Sequence, residues 1–398
     1  MRRLVVLVCI LCLALGLLGG CANYKEMAHM NIIIGLAVDR AENGYALTFE
    51  AVDLSGSPDS NEMSSFTVQA EGPTIPHALE DSKRQMAYRP HYGSLETVVI
   101  HEDIVRDEGL LPLLDWCVRD AEMRETATLV ISRAGSAREV LSAKGADFSV
   151  SSYVLEHIIN PPDGKAGRTA RMPLYRAADV LTTPGKALVL PAVCVQAEEE
   201  KPQDDEKNED KEDTQGEDKG HGTLCLDGLA VFRGDKLAGY LEQERVPYYL
   251  CLVNGLGPQE FVLGVGDGQE TALRVKSSRT CLKVDKEGGA DGLPAFDIAV
   301  SLRGDTRRLS GSVGPGLDRQ IAELEQAAAE RLTEELRQTV GVIQDELGVD
   351  ILALGYELYT CSRELWEGIG ADWPARFPEA GIAVEGVVRI SRGNFAKR

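Results

Sequence analysis

Histidine is where catalysis or metal binding would first show, because an unperturbed imidazole is the side chain that changes charge near neutral pH. The six histidines are His29, His77, His91, His101, His157 and His221, and none sits at metal-ligand spacing with another. No G-x-S-x-G elbow is present, and no cysteine carries a protease signature. Gly264-Val265-Gly266-Asp267-Gly268 is glycine-rich, yet Gln269 to Val275 continues as strand. A phosphate cradle needs a helix N-terminus at that point, so the run reads as a hairpin turn. Glu364 and Glu367, three apart on a predicted helix, read as a solvated face rather than paired catalytic carboxylates. Trp116, Trp366 and Trp373 lie in amphipathic or turn segments and read as core packing. These residues predict no catalytic constellation, no cofactor and no metal.

Cysteine chemistry points elsewhere. Arg2 and Arg3 precede an apolar run from Leu4 to Leu18, which ends in Leu18-Gly19-Gly20-Cys21. The run is shorter than the ~20 residues of a spanning helix and has the charged start and small-residue end of an export signal. Its end resembles a bacterial lipobox, which makes residues 1–20 a lipoprotein signal peptide and Cys21 the lipid attachment site. A two-chain acyl anchor, at ~0.8 kcal/mol per buried methylene, attaches stably. Cys9 and Cys12 leave with the signal. Cys117, Cys194, Cys225, Cys251, Cys281 and Cys361 remain, with no C-x-x-C or zinc spacing. They are expected to be mostly unpaired core thiols.

The 398 residues are 43% hydrophobic and carry 42 Lys+Arg against 63 Asp+Glu, a net charge of -21. A surface this acidic argues against nucleic-acid binding. No second run of about 18 apolar residues follows, so the mature chain is expected to be anchored to a membrane without crossing it.

The acidity is concentrated. Glu198 to Lys219 reads EEEKPQDDEKNEDKEDTQGEDK, twelve acidic and four basic residues (net -8) without an aliphatic or aromatic side chain. Such a segment has nothing to offset its ordering entropy, so 198–223 is read as a disordered acidic linker. It divides an N-terminal unit, 21–197, from a C-terminal unit, 224–392, both α+β.

In the first unit Ile32 to Val38 and Tyr45 to Val52 read as strands about an Asn43-Gly44 turn, with Ser64 to Ala70 as a third. Thr74 to Tyr88 and Ile104 to Val118 have helical spacing, and Thr97 to His101 and Thr126 to Ser132 read as strands. Ser136-Ala137-Arg138-Glu139 is a capping-box pattern. In the second unit Gly228 to Phe232 and Leu237 to Leu241 flank the turn Arg233-Gly234-Asp235-Lys236. Strands are predicted at Tyr249 to Val253, Gln259 to Val265, Leu273 to Val275 and Ala295 to Leu302. One long helix from Leu317 to Leu347 carries a continuous apolar stripe that should lie across a sheet. A helix over Ala353 to Trp366 and a strand over Ile382 to Ile390 close the chain.

The order of short motifs resembles the Ger(x)C family of spore germination lipoproteins, the C subunits of nutrient germinant receptors. After Cys21 comes the G-x-x-x-D strand Gly35 to Asp39, then Ala70-Glu71-Gly72, Ala78-Leu79, Val98-Val99-Ile100, and Gly109-Leu110 through Leu113-Leu114-Asp115 to Arg119-Asp120. Gly135 to Leu141, Ala230 to Leu241, Gly348 to Gly355 and Asp372-Trp373 to Phe377-Pro378 follow in order. The match departs where Ala22-Asn23-Tyr24 follows the lipid site in place of Trp-Asp, and at Ser94, where a His is expected.

The resemblance implies a non-catalytic accessory subunit on the outer face of the spore inner membrane. Its partners would be the membrane and two membrane-embedded subunits, one A-type and one transporter-like B-type. A substrate-binding lipoprotein of an importer would also place about 400 residues behind a lipobox, but as two doubly wound lobes around a ligand cleft. A surface hydrolase would need a His–nucleophile pair that the chain does not display.

Overall fold

The computed structural model describes residues 2–3, 30–53, 64–119, 122–143, 150–161, 168–196, 222–264, 270–286, 289, 292–306 and 317–391. Cys21 and the acidic run lie outside them, as does the turn at Val265 to Gly268.

The first half of the chain alternates strands and short helices. It contains β1 (Met30–Ala41), β2 (Gly44–Asp53), β3 (Ser64–Gly72), α1 (Ile75–Ser82), β4 (Arg89–His91), β5 (Thr97–His101), α2 (Glu102–Asp107), α3 (Leu111–Arg119), β6 (Thr128–Ser132), α4 (Ala137–Ser142), α5 (Ser151–Ile159), α6 (Leu174–Thr182) and β7 (Val189–Gln196). After the acidic run come β8 (Thr223–Arg233), β9 (Lys236–Leu241), α7 (Val246–Leu252), β10 (Gln259–Gly264), β11 (Glu270–Asp285), β12 (Ala295–Thr306) and α8 (Leu317–Gly341). A π-helical turn (Val342–Leu347), α9 (Leu354–Cys361), α10 (Arg363–Ile369), α11 (Trp373–Arg376) and β13 (Gly381–Ile390) complete it. The fold is α+β, as the sequence predicts.

One sheet runs β3-β2-β1-β5-β6-β7-β8-β9, with β4 added beside β1. Its centre is parallel, β1 to β5 to β6 to β7, and its flanks are antiparallel. Parallel strands are covered on both faces, which is why β5 and β6 are unbroken apolar runs. Helices α1, α2, α3 and α6 cover one face with Ile75, Ile104, Leu113, Leu114 and Ala177. Helices α4 and α5 cover the other, setting Val140, Leu141 and Leu155 over Val99 and Val130. Helix α5 also has a polar seat: the buried Glu50 carboxylate accepts from Ser151 N and Ser152 N, both at 3.0 Å, and from Ser65 Oγ at 2.9 Å.

The second sheet runs β10-β11-β12-β13. The α8 stripe lies across it as predicted: Ile321, Ala328, Leu332 and Leu336 share a core with Ile298, Val300, Leu302 and Val388. The same core takes in Val189, Leu229, Val231 and Leu241 of the first sheet. The acidic run therefore does not separate two sheets. It joins β7 to β8, neighbours in one sheet, so β8 and β9 belong to the first sheet although they follow the run.

Several expectations need correction. Tyr249 to Val253 is not a strand; Val246, Tyr249, Leu250, Cys251 and Leu252 are all buried in α7, so the helix shows no apolar period. The helix expected over Ile104 to Val118 is two, α2 and α3. They break at Gly109, whose φ of +92° suits glycine, and there Leu110 N donates to Asp235 O at 2.8 Å. Helix α1 stops at Ser82, well before Tyr88. The span Ala353 to Trp366 is divided into α9 and α10 at Ser362. The long helix is α-helical to Gly341 and widens into the π turn Val342–Leu347, and Gly348, in the left-handed region, ends it.

Most of the six cysteines lie outside disulfides, as expected; the departures are one bridge and two thiols that are exposed rather than in the core. Cys194 and Cys225 form a disulfide between directly opposed residues of β7 and β8, closing the loop that carries the acidic run. Cys117 and Cys251 are buried thiols and Cys281 and Cys361 are exposed thiols, none of them in a disulfide. Burial pushes the Cys251 thiol up to about 12, so it stays protonated and unreactive.

Candidate docking surface and the joint behind it

The motif residues do structural work. Asp39, at the end of the G-x-x-x-D strand, accepts from Ala137 N at 2.6 Å and Arg138 N at 2.9 Å, capping α4 from β1. Burial raises its carboxyl above the usual range, while the two N–H donors pull it down. The predicted capping box is half formed: Ser136 Oγ accepts from Glu139 N at 3.0 Å, while Glu139 Oε2 reaches one residue past the cap and accepts from Gly135 N at 3.0 Å.

The 233–236 turn binds both parts of the molecule. Arg233 Nη2 donates to Leu347 O at 3.2 Å and Gly348 O at 3.3 Å, the unpaired carbonyls at the end of the π turn. Lys236 Nζ donates to Asp107 O at 2.9 Å on the opposite side. A second contact lies at Gly185, φ +73°, where a Cβ would sit 2.3 Å from the Gly355 carbonyl carbon. There Tyr356 N donates to Gly185 O at 2.9 Å.

The loop presenting Gly355 is organised by Asp350. This buried carboxylate accepts from Leu354 N at 3.1 Å, Gly355 N at 2.7 Å and Trp373 Nε1 at 2.9 Å. Burial raises its pKa and these N–H groups oppose the rise. Trp373 thus belongs to the core, as read from the sequence, but its indole N–H has a specific partner.

The candidate catalytic side chains are dispersed. His77 Nδ1 lies 2.7 Å from Thr74 Oγ1 at the start of α1, His101 Nε2 lies 3.2 Å from Ala134 O, and His157 Nδ1 lies 2.7 Å from Tyr153 O on its own helix. Glu367 pairs with Arg363 at 3.1 Å on the exposed α10. Among the described residues no group of three His, Cys, Asp or Glu is placed to hold a metal ion, and no helix is long and apolar enough to cross a membrane. Cys21, His29 and His221 lie outside the described residues.

What the surface offers instead is an apolar groove. Tyr45, Pro73, Ile75, Pro76, Pro112 and Trp116 line an open depression of about 800 Å³ between α1 and α3, with Thr74 and the ion-paired Asp115 and Arg119 completing its wall. Helix α3 also exposes Leu111 and Val118, 50% and 53% accessible and seven residues apart on one side of the helix. The Tyr45 hydroxyl donates to Glu108, and burial followed by that carboxylate pushes the phenol up to about 12. The Tyr45 phenol therefore stays protonated at physiological pH. Sequence reasoning missed the groove because its walls come from separate elements: Pro73 from the turn before α1, Pro76 from the first turn of α1 and Pro112 from the first turn of α3.

Comparison with known proteins identifies the scaffold. Residues 23–195 match the family model described as spore germination protein N-terminal domain, and residues 227–394 match that described as spore germination B3/GerAC like, C-terminal. Spore germination protein KC of Bacillus subtilis (strain 168) is 24% identical over 405 residues, covering 98% of this chain and 96% of that protein. Spore germination protein B3 of the same organism is 23% identical over 372 residues, 90% of each. The crystal structure of the GerBC protein has the same fold, with a TM-score of 0.54 at 19% identity over 89% of this chain and 96% of that one. Two family segments in order, on one shared fold, leave a single conclusion: the chain belongs to the Ger(x)C family of spore germination proteins.

Proposed function

We propose that this protein is a non-catalytic, lipid-anchored subunit of a spore nutrient germinant receptor. It is held by Cys21 on the outer face of the spore inner membrane and docks to two membrane-embedded subunits, one A-type and one transporter-like B-type. The observation that carries this reading is the ordered match to both germination-protein segments, which together span nearly the whole chain beyond Cys21. The dispersed histidines, engaged in local contacts, support a role without chemistry. The apolar side of α3 and its groove support a role in docking.

Replacing Cys21 tests the anchor and the function together. Spores carrying Cys21→Ala as the sole copy should lose acyl labelling, release the protein from the membrane fraction and germinate poorly on nutrient. Retained lipid would refute the attachment site. Normal germination from a released protein would refute the anchored-subunit reading.

A further inference from the structure

Parallel strands begin at a common end of a sheet, and in the first sheet β1, β4, β5 and β6 all do so. Strand β3, antiparallel to β2 and so parallel to β1, begins there too. Among the described residues three aromatic side chains are exposed, and all three stand at this end: Phe66, Tyr88 and Tyr175, at 41%, 45% and 54%. Phe66 lies near the start of β3, on the face that Val68 and Ala70 turn toward α1, α3 and α6. Tyr88 immediately precedes β4, and its carbonyl accepts from Asn31 Nδ2 at 2.9 Å. Tyr175, in the first turn of α6, donates its N–H to Glu125 O at 3.1 Å, just before β6. Five strand spacings of about 4.8 Å separate the segments bearing Phe66 and Tyr175, so the three rings are spread over about 24 Å.

Charge gives this end no dominant sign. Lys83 pairs with Glu80 at 2.6 Å, Arg84 with Asp81 at 3.2 Å, Arg89 with Glu122 at 2.8 Å and Arg124 with Glu96 at 2.5 Å. Exposed Arg176 and Glu125 flank Tyr175, and Asp53 ends β2. On a chain of net charge -21, a nearly balanced end is one that an anionic lipid leaflet does not repel. Beside Tyr88 is a depression of about 630 Å³, lined by apolar Leu79, Met86 and Pro90 and by charged Lys83, Arg89 and Glu122. Aromatic rings among polar neighbours suit the membrane–water interface, where the ring meets the upper acyl chains and polar groups stay wet.

The length of chain ahead of β1 says which surface lies here. Nine residue steps lead from Cys21 to Met30, where β1 begins, and a chain spans at most about 3.6 Å per residue. An acyl group on Cys21 therefore attaches within about 32 Å of Met30. The register partner of Met30 is Arg89, the residue after Tyr88, so an exposed ring stands beside the point where the tether enters the fold. We propose that this end of the first sheet rests on the lipid bilayer, with Phe66, Tyr88 and Tyr175 seated at its headgroup boundary. This rests on Cys21 as the site of lipid attachment. The rings orient the anchored molecule and do not replace the anchor, since three partly exposed side chains hold far more weakly than two acyl chains.

The test is hydroxyl-radical footprinting of the mature lipoprotein on phosphatidylcholine vesicles, against the mature chain carrying Cys21→Ala free in buffer. Phe66, Tyr88 and Tyr175 should be oxidised several-fold more slowly on vesicles, while Leu111, 50% exposed on α3, keeps its rate. Equal rates in a protein whose intact mass shows the acyl chains would overturn the proposal and leave the anchor standing. A second measurement needs no anchor: vesicle sedimentation of the Cys21→Ala chain at high lipid concentration. There F66S/Y88S/Y175S should lower the affinity about tenfold, with circular dichroism unchanged. A mass without acyl chains would refute Cys21 as the attachment site, and this second measurement would then decide the surface alone. No binding, or an affinity that the triple substitution leaves unchanged, would overturn the proposal, as would binding confined to anionic phosphatidylglycerol vesicles. Protection of the three rings that tracks protein concentration without lipid would also overturn it and assign this end to a second copy.

Discussion

Replacing Asp350 by alanine should be among the most damaging single changes in this fold. The carboxylate is buried and takes three N–H donors, from Leu354, Gly355 and Trp373, at 2.7 to 3.1 Å. Alanine removes every acceptor atom and leaves those donors in a site closed to bulk water. A buried donor without a partner costs roughly 1–3 kcal/mol, so three set a range of about 3–9 kcal/mol. Water entering the vacated volume would restore part of this, and a loss of about 4 kcal/mol is expected. Against a total of about 5–15 kcal/mol for a typical protein, that is a large fraction. The companion variant Trp373→Phe removes one donor and keeps an aromatic ring against Phe296 and Phe377, whose centroids lie 6.0 and 6.1 Å away. It should cost only about 1–2 kcal/mol. Urea unfolding followed by circular dichroism measures both, with the Asp350→Ala midpoint falling by more than about 1 M. An Asp350→Ala protein within about 1 kcal/mol of wild type would refute the assignment of Asp350 as organiser of the Gly348 to Gly355 loop.

Three further outcomes are expected. Deleting Glu198 to Lys219 should change thermal stability by no more than about 1 kcal/mol, because a run without apolar side chains buries little; a cooperative loss of several kcal/mol in a melt would contradict this. Alanine at His77, His91, His101 or His157 should each leave nutrient-triggered germination within a few-fold of wild type, whereas loss of a general base costs roughly 10²-fold or more. Burial raises the pKa of Glu50 in the folded protein, so folding favours its protonated form. Its contribution is full below the ordinary carboxylate range near ~4.3 and fades as pH rises through the raised value. Urea midpoints measured from acid to neutral pH should therefore fall for wild type relative to Glu50→Gln, and a constant difference would show that Glu50 titrates normally.

The parts of the fold that the sequence displayed are those set by local chemistry. The Asn43-Gly44 and Arg233 to Lys236 turns, the Ser136 cap and the α8 stripe each depend on residues a few positions apart. The concealed parts depend on distant partners. The break at Gly109 answers to Asp235, well over a hundred residues on, and α7 lost its helical period because it is enclosed all round. Helices α5 and α6 and strand β7 went unread: α5 begins on serines that serve Glu50, a carboxylate of another strand. No spacing rule could pair Cys194 with Cys225, since the acidic run between them conceals that their strands are neighbours. The groove beside Trp116 was equally hidden, and the assignment of scaffold was legible because motif order survives where each motif alone is weak.

The crossing of the acidic run by a single sheet also governs how the molecule can be divided. Composition invites a cut between Gln196 and Thr223, but a fragment ending there would leave β7 with an unpaired edge and send β8 and β9 away with the wrong body. Bare edges of this kind template aggregation. An N-terminal piece that retains its whole sheet must continue through Leu241, and a C-terminal piece that starts later gives up Leu229, Val231 and Leu241 from its core. Inheritance and expression must therefore treat the two germination segments as one unit: a recombination or truncation point that looks harmless in the most disposable-looking stretch of the chain falls in the middle of a β-hairpin.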